Sequence, residues 1–336
     1  MIQKLLFCFT LTLSLNAFSQ TRIEGTSYTH FQINLKKDTI DFVIADTNLT
    51  VVKPLLLFCQ GSLPVPLFID FERKYIWPVP LSNFNIEELN KHYHIAVISM
   101  PKTPLIVGKE YLNSQLIYVT DTTNQHSYSS EYLKTNYLEN YVNRANKVLT
   151  FLKKKKWINS DRIVVAGHSQ GSKVATKVAL NNKTVTHLGL FGADPFGRID
   201  QMIRTARLNA QLGRITWEEA DSTMNSYYEI YKEINNQDSL IQNPYVKTLK
   251  SFSKPTFDDL LKLNIPIYIA YGTEDRIADL CDLMPLFFIE EDKNNLTLKR
   301  YIGLEHNFFE VDEKGRTNYE KEHWEEVMQE FINWIK

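Results

Sequence analysis

The chain has 336 residues, of which 43% are hydrophobic and 23% charged, and its formal net charge at pH 7 is −1. This length and composition indicate a globular chain, with one large domain or one domain that carries an insertion, and they argue against extended disorder. The near-neutral charge provides no electrostatic basis for binding nucleic acid or an anionic membrane surface.

The N-terminal segment predicts export. Lys4 precedes an apolar run from Leu5 to Leu15, and residues 17–19 are Ala-Phe-Ser, a pattern that signal peptidase cleaves. We therefore predict that residues 1–19 are a signal peptide, removed before Gln20, and that the protein is periplasmic or secreted. No other segment reaches the roughly eighteen apolar residues of a membrane helix, so no integral membrane segment is expected after cleavage.

Eight segments have the continuous or alternating apolar pattern of β-strands. They are Tyr28–Leu35, Thr39–Ala45, Pro54–Cys59, His94–Met100, Arg162–Ala166, His187–Phe191, Ile265–Tyr271 and Leu296–Ile302. Amphipathic helices are predicted at Tyr137–Lys153, from Ser172 onward and at Glu320–Lys336. The alternation of strand and helix predicts an α/β fold with a mostly parallel, eight-stranded sheet covered on both faces.

One region interrupts this alternation. Residues 196–263 have helical patterns and no convincing strand, so they are predicted to be a helical lid or cap that divides the core into residues 20–195 and 264–336. Within this helical insertion, six residues follow one face of a helix and would either pack on neighbouring helices or contact substrate: Trp217, Ala220, Met224, Tyr227, Tyr228 and Tyr231.

A candidate nucleophile lies at the end of the Arg162–Ala166 strand. There the chain reads Gly-His-Ser-Gln-Gly, and a helical pattern follows at once. Gly167 and Gly171 lack a Cβ, which lets the chain turn sharply and leaves Ser169 exposed at the tip of the turn. The strand, turn and helix together predict Ser169 as a nucleophile.

A serine nucleophile needs a base, and the base needs an orienting carboxylate. In a parallel sheet, functional residues collect at the carboxyl ends of strands. His306 follows the Leu296–Ile302 strand and is the predicted base, whereas the other histidines lie in or before strands, in a polar loop or in the terminal helix. His168, beside Ser169, is expected to pack next to the turn.

The same criterion selects the acid. Asp275 follows the Ile265–Tyr271 strand after a glycine turn and is the predicted partner of the base. Three other carboxylates remain open as alternatives: Glu274, Asp279 and Asp194.

Two backbone N–H groups are predicted to stabilise an oxyanion. One is that of Gln170, next to the nucleophile, and the other is that of Ser62, in the turn that follows the Pro54–Cys59 strand. Cys59 and Cys281 lack the spacing of a metal site, and no metal or cofactor is expected.

The order Ser169, Asp275, His306, each after a successive strand, together with the turn at Gly61, resembles the α/β-hydrolase superfamily over nearly the whole mature chain. The resemblance implies Ser169 as nucleophile and His306 as base and then acid. It also implies a helical cap after the sixth strand over a partly enclosed apolar pocket. Gln60 departs from the family, where many members have histidine.

The strand order of that family also separates Cys59 from Cys281, so two free, buried thiols are expected.

The resemblance favours a serine hydrolase that acts through an acyl-enzyme on a small-molecule ester or acyl substrate, most simply a carboxylic-ester hydrolase. A serine peptidase of the oligopeptidase type is the alternative enzyme. A noncatalytic binding protein on the same fold is the alternative of another class.

Overall fold

The structure is a computed structural model that describes residues 20–36, 38–72, 74–236 and 243–336. The predicted signal peptide, residues 1–19, lies outside the described residues. The described strands are β1 Gln20–Arg22, β2 Thr29–Asn34, β3 Thr39–Ile44, β4 Lys53–Cys59, β5 Phe68–Phe71, β6 Tyr75–Pro78, β7 His94–Ile98, β8 Ile106–Gly108, β9 Ile158–His168, β10 Val185–Phe191, β11 Ile267–Gly272, β12 Leu296–Tyr301, β13 Phe309–Val311 and β14 Thr317–Glu322.

The main sheet has the strand order β1-β2-β3-β7-β4-β9-β10-β11-β12. From β7 to β12 every neighbouring pair is parallel, and β1 to β3 extend one edge as antiparallel strands. The predicted α/β fold with a mostly parallel sheet is confirmed. The predicted number of eight strands was wrong, because the sheet has nine: β1 is three exposed residues, Gln-Thr-Arg, without an apolar pattern that could reveal a strand.

The described helices are α1 Ile86–Asn90, α2 Ser130–Thr135, α3 Leu138–Leu152, α4 Gln170–Asn181, α5 Arg198–Gln211, α6 Trp217–Asn235, α7 Pro244–Phe252, α8 Phe257–Lys262, α9 Ala278–Glu290 and α10 Trp324–Trp334, with a short 3₁₀ helix at Lys109–Tyr111. Helix α10 begins later than predicted, because residues 317–322 pair with β13 as strand β14 instead of continuing the helix. None of the helices in these described ranges is long and apolar enough to span a membrane.

The central strands bury side chains on both faces of the sheet. In β4, Leu55 and Leu57 belong to one apolar cluster, while Leu56 and Phe58 belong to another on the opposite face. Helices α3, α4, α8 and α9 cover the first cluster, and α10 covers the second. Continuous apolar runs such as that of β4 therefore form strands because helices remove both faces from water.

The helical insertion follows β10 and supplies α5 to α8, in agreement with the helical patterns read there. Helices α5, α6 and α7 share an apolar cluster of their own, formed by Ile199, Ile234, Val246 and Leu249. Thr216 and Glu219 close a capping box at the start of α6. Helices α5 to α7 thus share a cluster separate from the two on the sheet, whereas α8 packs on the first sheet cluster.

Candidate active site

Ser169 lies at a sharp turn between a strand and a helix. Strand β9 ends at His168 and α4 begins at Gln170, so Ser169 alone connects them. Its backbone has φ 54° and ψ −121°, and its N–H donates to the carbonyl of Phe191 at 2.9 Å. A positive φ is strained for a residue with a Cβ and is held only where surrounding contacts impose it.

Two glycines make this turn possible by allowing the backbones to touch. A Cβ on Gly167 would lie 2.2 Å from the carbonyl oxygen of Gly171. A Cβ on Gly171 would lie 2.1 Å from the carbonyl oxygen of Cys59, at the end of the neighbouring strand β4. The turn therefore packs against the β4 loop at a distance that only glycine permits.

The structure brings the three predicted site residues into one hydrogen-bonded row. The Nε2 atom of His306 lies 2.8 Å from the Oγ atom of Ser169, and its Nδ1 atom lies 2.6 Å from the Oδ2 atom of Asp275. The Asp275 side chain is 0% exposed and that of His306 is 14% exposed, so water weakly screens their interaction. A protonated Nδ1 donating to Asp275 leaves Nε2 free to accept the serine proton.

The loops that carry Asp275 and His306 are packed backbone to backbone. A Cβ on Gly272, the last residue of β11, would lie 1.9 Å from the carbonyl oxygen of Leu304. The Oδ1 atom of Asp275 accepts from the N–H of Ile277 at 3.3 Å. These contacts fix the carboxylate without engaging the oxygen that faces His306.

The alternative acids have other surroundings. Glu274 is exposed, and Asp279 pairs with Arg204 at 2.5 Å, away from His306. Asp194 accepts from the N–H groups of residues 196 and 197 through Oδ1. Among the four carboxylates considered, Asp275 is the one that contacts His306 in the described part of the chain.

His168 contacts the loop that carries His306. Its Nε2 lies 3.0 Å from the carbonyl oxygen of His306 and donates to it, and its ring meets the indole of Trp324 edge to face at 5.0 Å. Burial lowers the pKa of His168 to about 3, with the nearby His306 as the next cause. The ring is therefore neutral at physiological pH and acts as packing and as a backbone clamp, which is the position expected for it.

The candidate oxyanion donors belong to two segments near Ser169. The N–H of Gln170 is at the first position of α4 and has no intrahelical acceptor. The turn of Gly61 and Ser62 also lies close, since a Cβ on Gly61 would be 3.8 Å from the Cβ of Ser169. Gln60 stands where many family members have histidine. Its side chain donates to the backbone carbonyl of Ile98 at 2.6 Å.

Two cavities meet at the Ser62 turn. The larger has a volume of about 360 Å³ and contains Ser169 and His306; its other lining residues are Gly61, Ser62, Leu63, His168, Gln170, Lys173, Asp194, Arg198, Gln201, Phe252, Arg276 and Asn307. The second, of about 240 Å³, is lined by apolar side chains such as Phe84 and Trp324 and by polar ones such as Ser82 and Asn83.

The expectation of an apolar pocket thus differs from the structure at the larger cavity, which is lined by several charged groups. The aromatic residues singled out on α6 do not form it: Trp217, Tyr228 and Tyr231 are 50%, 48% and 44% exposed and line neither cavity. Helical periodicity placed them on one face with Ala220, which is buried, but could not show that these three aromatic side chains are exposed.

Sequence reasoning missed a buried cation beside Ser169, Lys173, and named the buried carboxylate near it, Asp194, only as an alternative acid. Lys173 is one helical turn beyond Ser169, and its Nζ donates to the carbonyls of Phe196 and Lys254 at 3.2 and 2.9 Å. Burial lowers the pKa of Lys173 to about 8 and raises that of Asp194 to about 6. The spacing of four residues from the serine was the signal that could have identified Lys173.

The two cysteines in the described part of the chain are unpaired, as expected. Cys59 and Cys281 are both buried, and burial raises the pKa of the Cys59 thiol to about 12, so that thiol is unreactive at neutral pH. Within the described ranges, no three side chains of histidine, cysteine, aspartate or glutamate come together as metal ligands.

Comparison with known proteins identifies the fold. No protein-family model matches the chain. The structure superimposes on E-2-(acetamidomethylene)succinate hydrolase with a TM-score of 0.51 and 11% identity, covering 92% of this chain and 98% of that one. It superimposes on a candidate dipeptidyl aminopeptidase IV of Bacteroides ovatus with a TM-score of 0.53 and 11% identity, covering 92% of this chain but 35% of that one.

A shorter likeness is seen at the sequence level. The chain is 35% identical over 65 residues to a non-heme chloroperoxidase of Streptomyces lividans. This match spans 19% of the chain and about a quarter of the length of that curated relative, 23%. The sheet order, the turn at Ser169 and the structural superpositions agree, and the chain therefore has the fold of the α/β-hydrolase superfamily.

Proposed function

We propose that the protein is a serine hydrolase that cleaves carboxylic esters through an acyl-enzyme. The observation that carries this proposal is the row of Ser169, His306 and Asp275, with distances of 2.8 and 2.6 Å between successive polar atoms. A serine hydroxyl becomes a nucleophile when a base accepts its proton and a carboxylate orients that base. The strained backbone of Ser169 presents this hydroxyl to the larger cavity.

Acylation would begin when the Oγ atom of Ser169 attacks the ester carbonyl carbon and Nε2 of His306 takes the hydroxyl proton. The N–H groups of Gln170 and Ser62 would donate to the oxyanion of the tetrahedral intermediate. When this intermediate collapses, the bond to the alcohol oxygen breaks. His306 then returns the proton to the alcohol, and the acyl group remains on Ser169.

Deacylation repeats the sequence with water. His306 would take a proton from water, whose oxygen attacks the acyl carbon, and the bond to Ser169 Oγ then breaks as the serine regains a proton. Asp275 holds the imidazole tautomer and stabilises the imidazolium in both halves. Its complete burial supports this role, because little solvent screens the pair.

The size of the larger cavity supports a small ester as substrate. A volume of about 360 Å³ lies within the range of small-molecule sites, roughly 300–1,000 Å³. The second cavity, beside the Ser62 turn, offers apolar surface for the other side of the scissile bond. Two cavities of this size that meet at the Ser62 turn suit a small ester better than an extended peptide.

We further propose that the helical insertion of residues 196–263 is a lid and that residues 1–19 direct export. The insertion supplies Arg198, Gln201 and Phe252 to the lining of the larger cavity, which supports a role in substrate enclosure. N-terminal sequencing of the protein isolated from periplasm and medium tests export. A mature terminus at Gln20 is expected, and a full-length protein that remains in the cytoplasm would contradict it.

A fluorophosphonate probe tests the hydrolase directly, because it labels activated serines covalently. Wild type is expected to label, and Ser169→Ala and His306→Ala are expected to lose labelling. Ser226→Ala is a matched control, since Ser226 lies exposed on α6. Circular dichroism of each variant verifies that the fold is retained.

The outcomes separate clearly. Absence of labelling in folded wild type, or labelling that survives in Ser169→Ala, would overturn the proposal. If labelling follows the proposal, comparing ethyl esters with aminoacyl amides as substrates decides between an esterase and a peptidase.

A further inference from the structure

Arg198 is the first residue of α5 and faces the larger cavity beside Ser169. Its Nη2 atom donates to the Oε1 atom of Gln170 at 2.6 Å. Gln170 directly follows the nucleophile, so this contact holds the guanidinium next to the reacting centre. Gly197, with φ +153°, precedes it, and a Cβ there would lie 2.7 Å from the carbonyl oxygen of Ser253. The start of α5 is therefore fixed by close backbone contact.

The Arg198 guanidinium has no carboxylate partner. Among the residues that the structure describes, its one hydrogen bond is to Gln170, and it forms no ion pair. Arg204, two turns further along α5, pairs with both Asp200 and Asp279. Arg198 is half-buried, and this burial lowers the pKa of its guanidinium, so the cation is partly withdrawn from water with no carboxylate at contact distance.

The other residues that line the larger cavity add to its excess of positive charge. Three cationic side chains, Lys173, Arg198 and Arg276, face the larger cavity with one carboxylate, Asp194. Lys173 is engaged by two backbone carbonyls, and one oxygen of Asp194 accepts from two backbone N–H groups. Arg276 is exposed and donates to Thr205 at 3.1 Å, so it lies at the cavity entrance with donors to spare.

We propose that the substrate of this hydrolase carries a carboxylate, which Arg198 binds in the larger cavity while Arg276 attracts it at the entrance. The planar guanidinium offers paired N–H donors that match a carboxylate, and a low-dielectric site strengthens the contact. One half-buried guanidinium with no carboxylate at contact distance matches a singly charged carboxylate better than a phosphate with close to two charges. The inference rests on the proposed function and names its substrate class.

Protection from fluorophosphonate labelling tests this site without knowledge of the natural substrate. Glutarate is the anionic probe and glutaramide its uncharged counterpart. Glutarate is expected to slow labelling of wild type at concentrations about 10- to 100-fold lower than glutaramide, the range for a charge-assisted hydrogen bond. Equal protection by the two compounds overturns the proposal, and this comparison needs no variant.

Variants then locate the site. Arg198→Gln is expected to weaken glutarate protection about 10-fold or more, and Arg198→Lys, which keeps the charge, to restore part of it. Arg207→Gln is the matched control, because Arg207 lies on the same helix, outside the cavity and against Trp217. Arg276→Gln, at an exposed position, is expected to give a smaller loss. Unchanged protection in folded Arg198→Gln contradicts the assignment.

Failure of this proposal and failure of the hydrolase give different results. Labelling of wild type without selective glutarate protection rejects the carboxylate site and leaves the hydrolase. Absence of labelling rejects the hydrolase. In that case calorimetric titration of Ser169→Ala with glutarate measures the site alone: binding that Arg198→Gln abolishes supports the carboxylate site, and no binding overturns it.

Discussion

The two sides of the cavity around Ser169 are built in different ways. On the sheet side, Ser169, Asp275 and His306 stand on loops after three strands, and glycines bring those loops into backbone contact. On the helix side, Arg198 projects from an insertion with a small apolar cluster of its own. Close backbone contacts tolerate few substitutions, because an added side chain would clash. A charged side chain such as Arg198, in contrast, can be replaced by a single substitution without moving the backbone. Under the proposed function, the sheet side would therefore carry the chemistry and the helix side would select the substrate.

The two sides also treat buried charge differently. The Asp275 side chain is fully buried but lies 2.6 Å from His306, which would become its cationic partner in the proposed reaction. Asp194 and Arg198 are buried or half-buried near each other without an ion pair at contact distance. Unpaired buried charge destabilises the fold, so its presence at a cavity indicates a functional constraint rather than a structural one.

The largest effect expected is that of Asp275→Asn. If the sheet side alone carries the chemistry, this change lowers kcat/KM about 10³- to 10⁴-fold, since asparagine favours the wrong imidazole tautomer. Asp194→Asn is expected to lower it by less than about 10-fold, because Asp194 orients backbone rather than the base. Ester hydrolysis by both variants provides the measurement. A greater loss in Asp194→Asn would reverse the assignment of the acid.

The next largest effect is expected on stability, and it compares one glycine from each side of the cavity. Gly171→Ala places a Cβ 2.1 Å from the carbonyl oxygen of Cys59 and is expected to destabilise the fold by about 3 to 4 kcal/mol. Gly213→Ala, between α5 and α6, meets no atom within 4 Å and has φ +65°. It should cost about 1 kcal/mol, from the left-handed conformation alone. Urea unfolding measures both, and equal losses would show that backbone packing does not distinguish the two sides.

The smallest effect expected is a pH dependence of stability at Asp194. Burial raises the pKa of Asp194 from 3.8 to about 6, so between these values the folded chain keeps a proton that the unfolded chain has released. The contribution of this group to stability is therefore fully present below pH 4 and falls as pH rises to about 6.

Asp194→Asn removes this dependence. Its free energy of unfolding, relative to wild type, should rise by about 2 to 3 kcal/mol between pH 4 and pH 7. Asp221→Asn, at an exposed position on α6, controls for the loss of one negative charge. Unfolding curves that differ by the same amount at both pH values would show that Asp194 titrates normally.

Much of the sheet side could be predicted from the sequence. The buried runs of β4, β9 and β11 are continuous and apolar, and their ends point to the residues that follow them. The short strand β1 and the pair β13 and β14 escaped prediction because their residues are exposed or only partly buried, and β5, β6 and β8 escaped it because runs of three or four residues are too short to show a period. Periodicity reveals a strand only where one of its faces leaves water.

The helix side could be predicted only in outline. Helical spacing indicated α6 and its aromatic face, but Trp217 is 50% exposed and lines neither cavity. A face of large side chains predicts burial, yet the neighbours that would bury it depend on how the insertion folds back. The local sequence pattern does not show how the insertion packs against the rest of the protein.

By itself, the sequence determined the fold class, the strained turn at Ser169 and the order of Asp275 and His306 after it, because these follow from local periodicity and from glycine stereochemistry. Only the tertiary structure decided which of four carboxylates contacts His306. It alone also decided that Lys173, Arg198 and Arg276 share a cavity with the serine. The physical reason is that these side chains come from separate segments, and their proximity arises from packing at distances that no local pattern encodes.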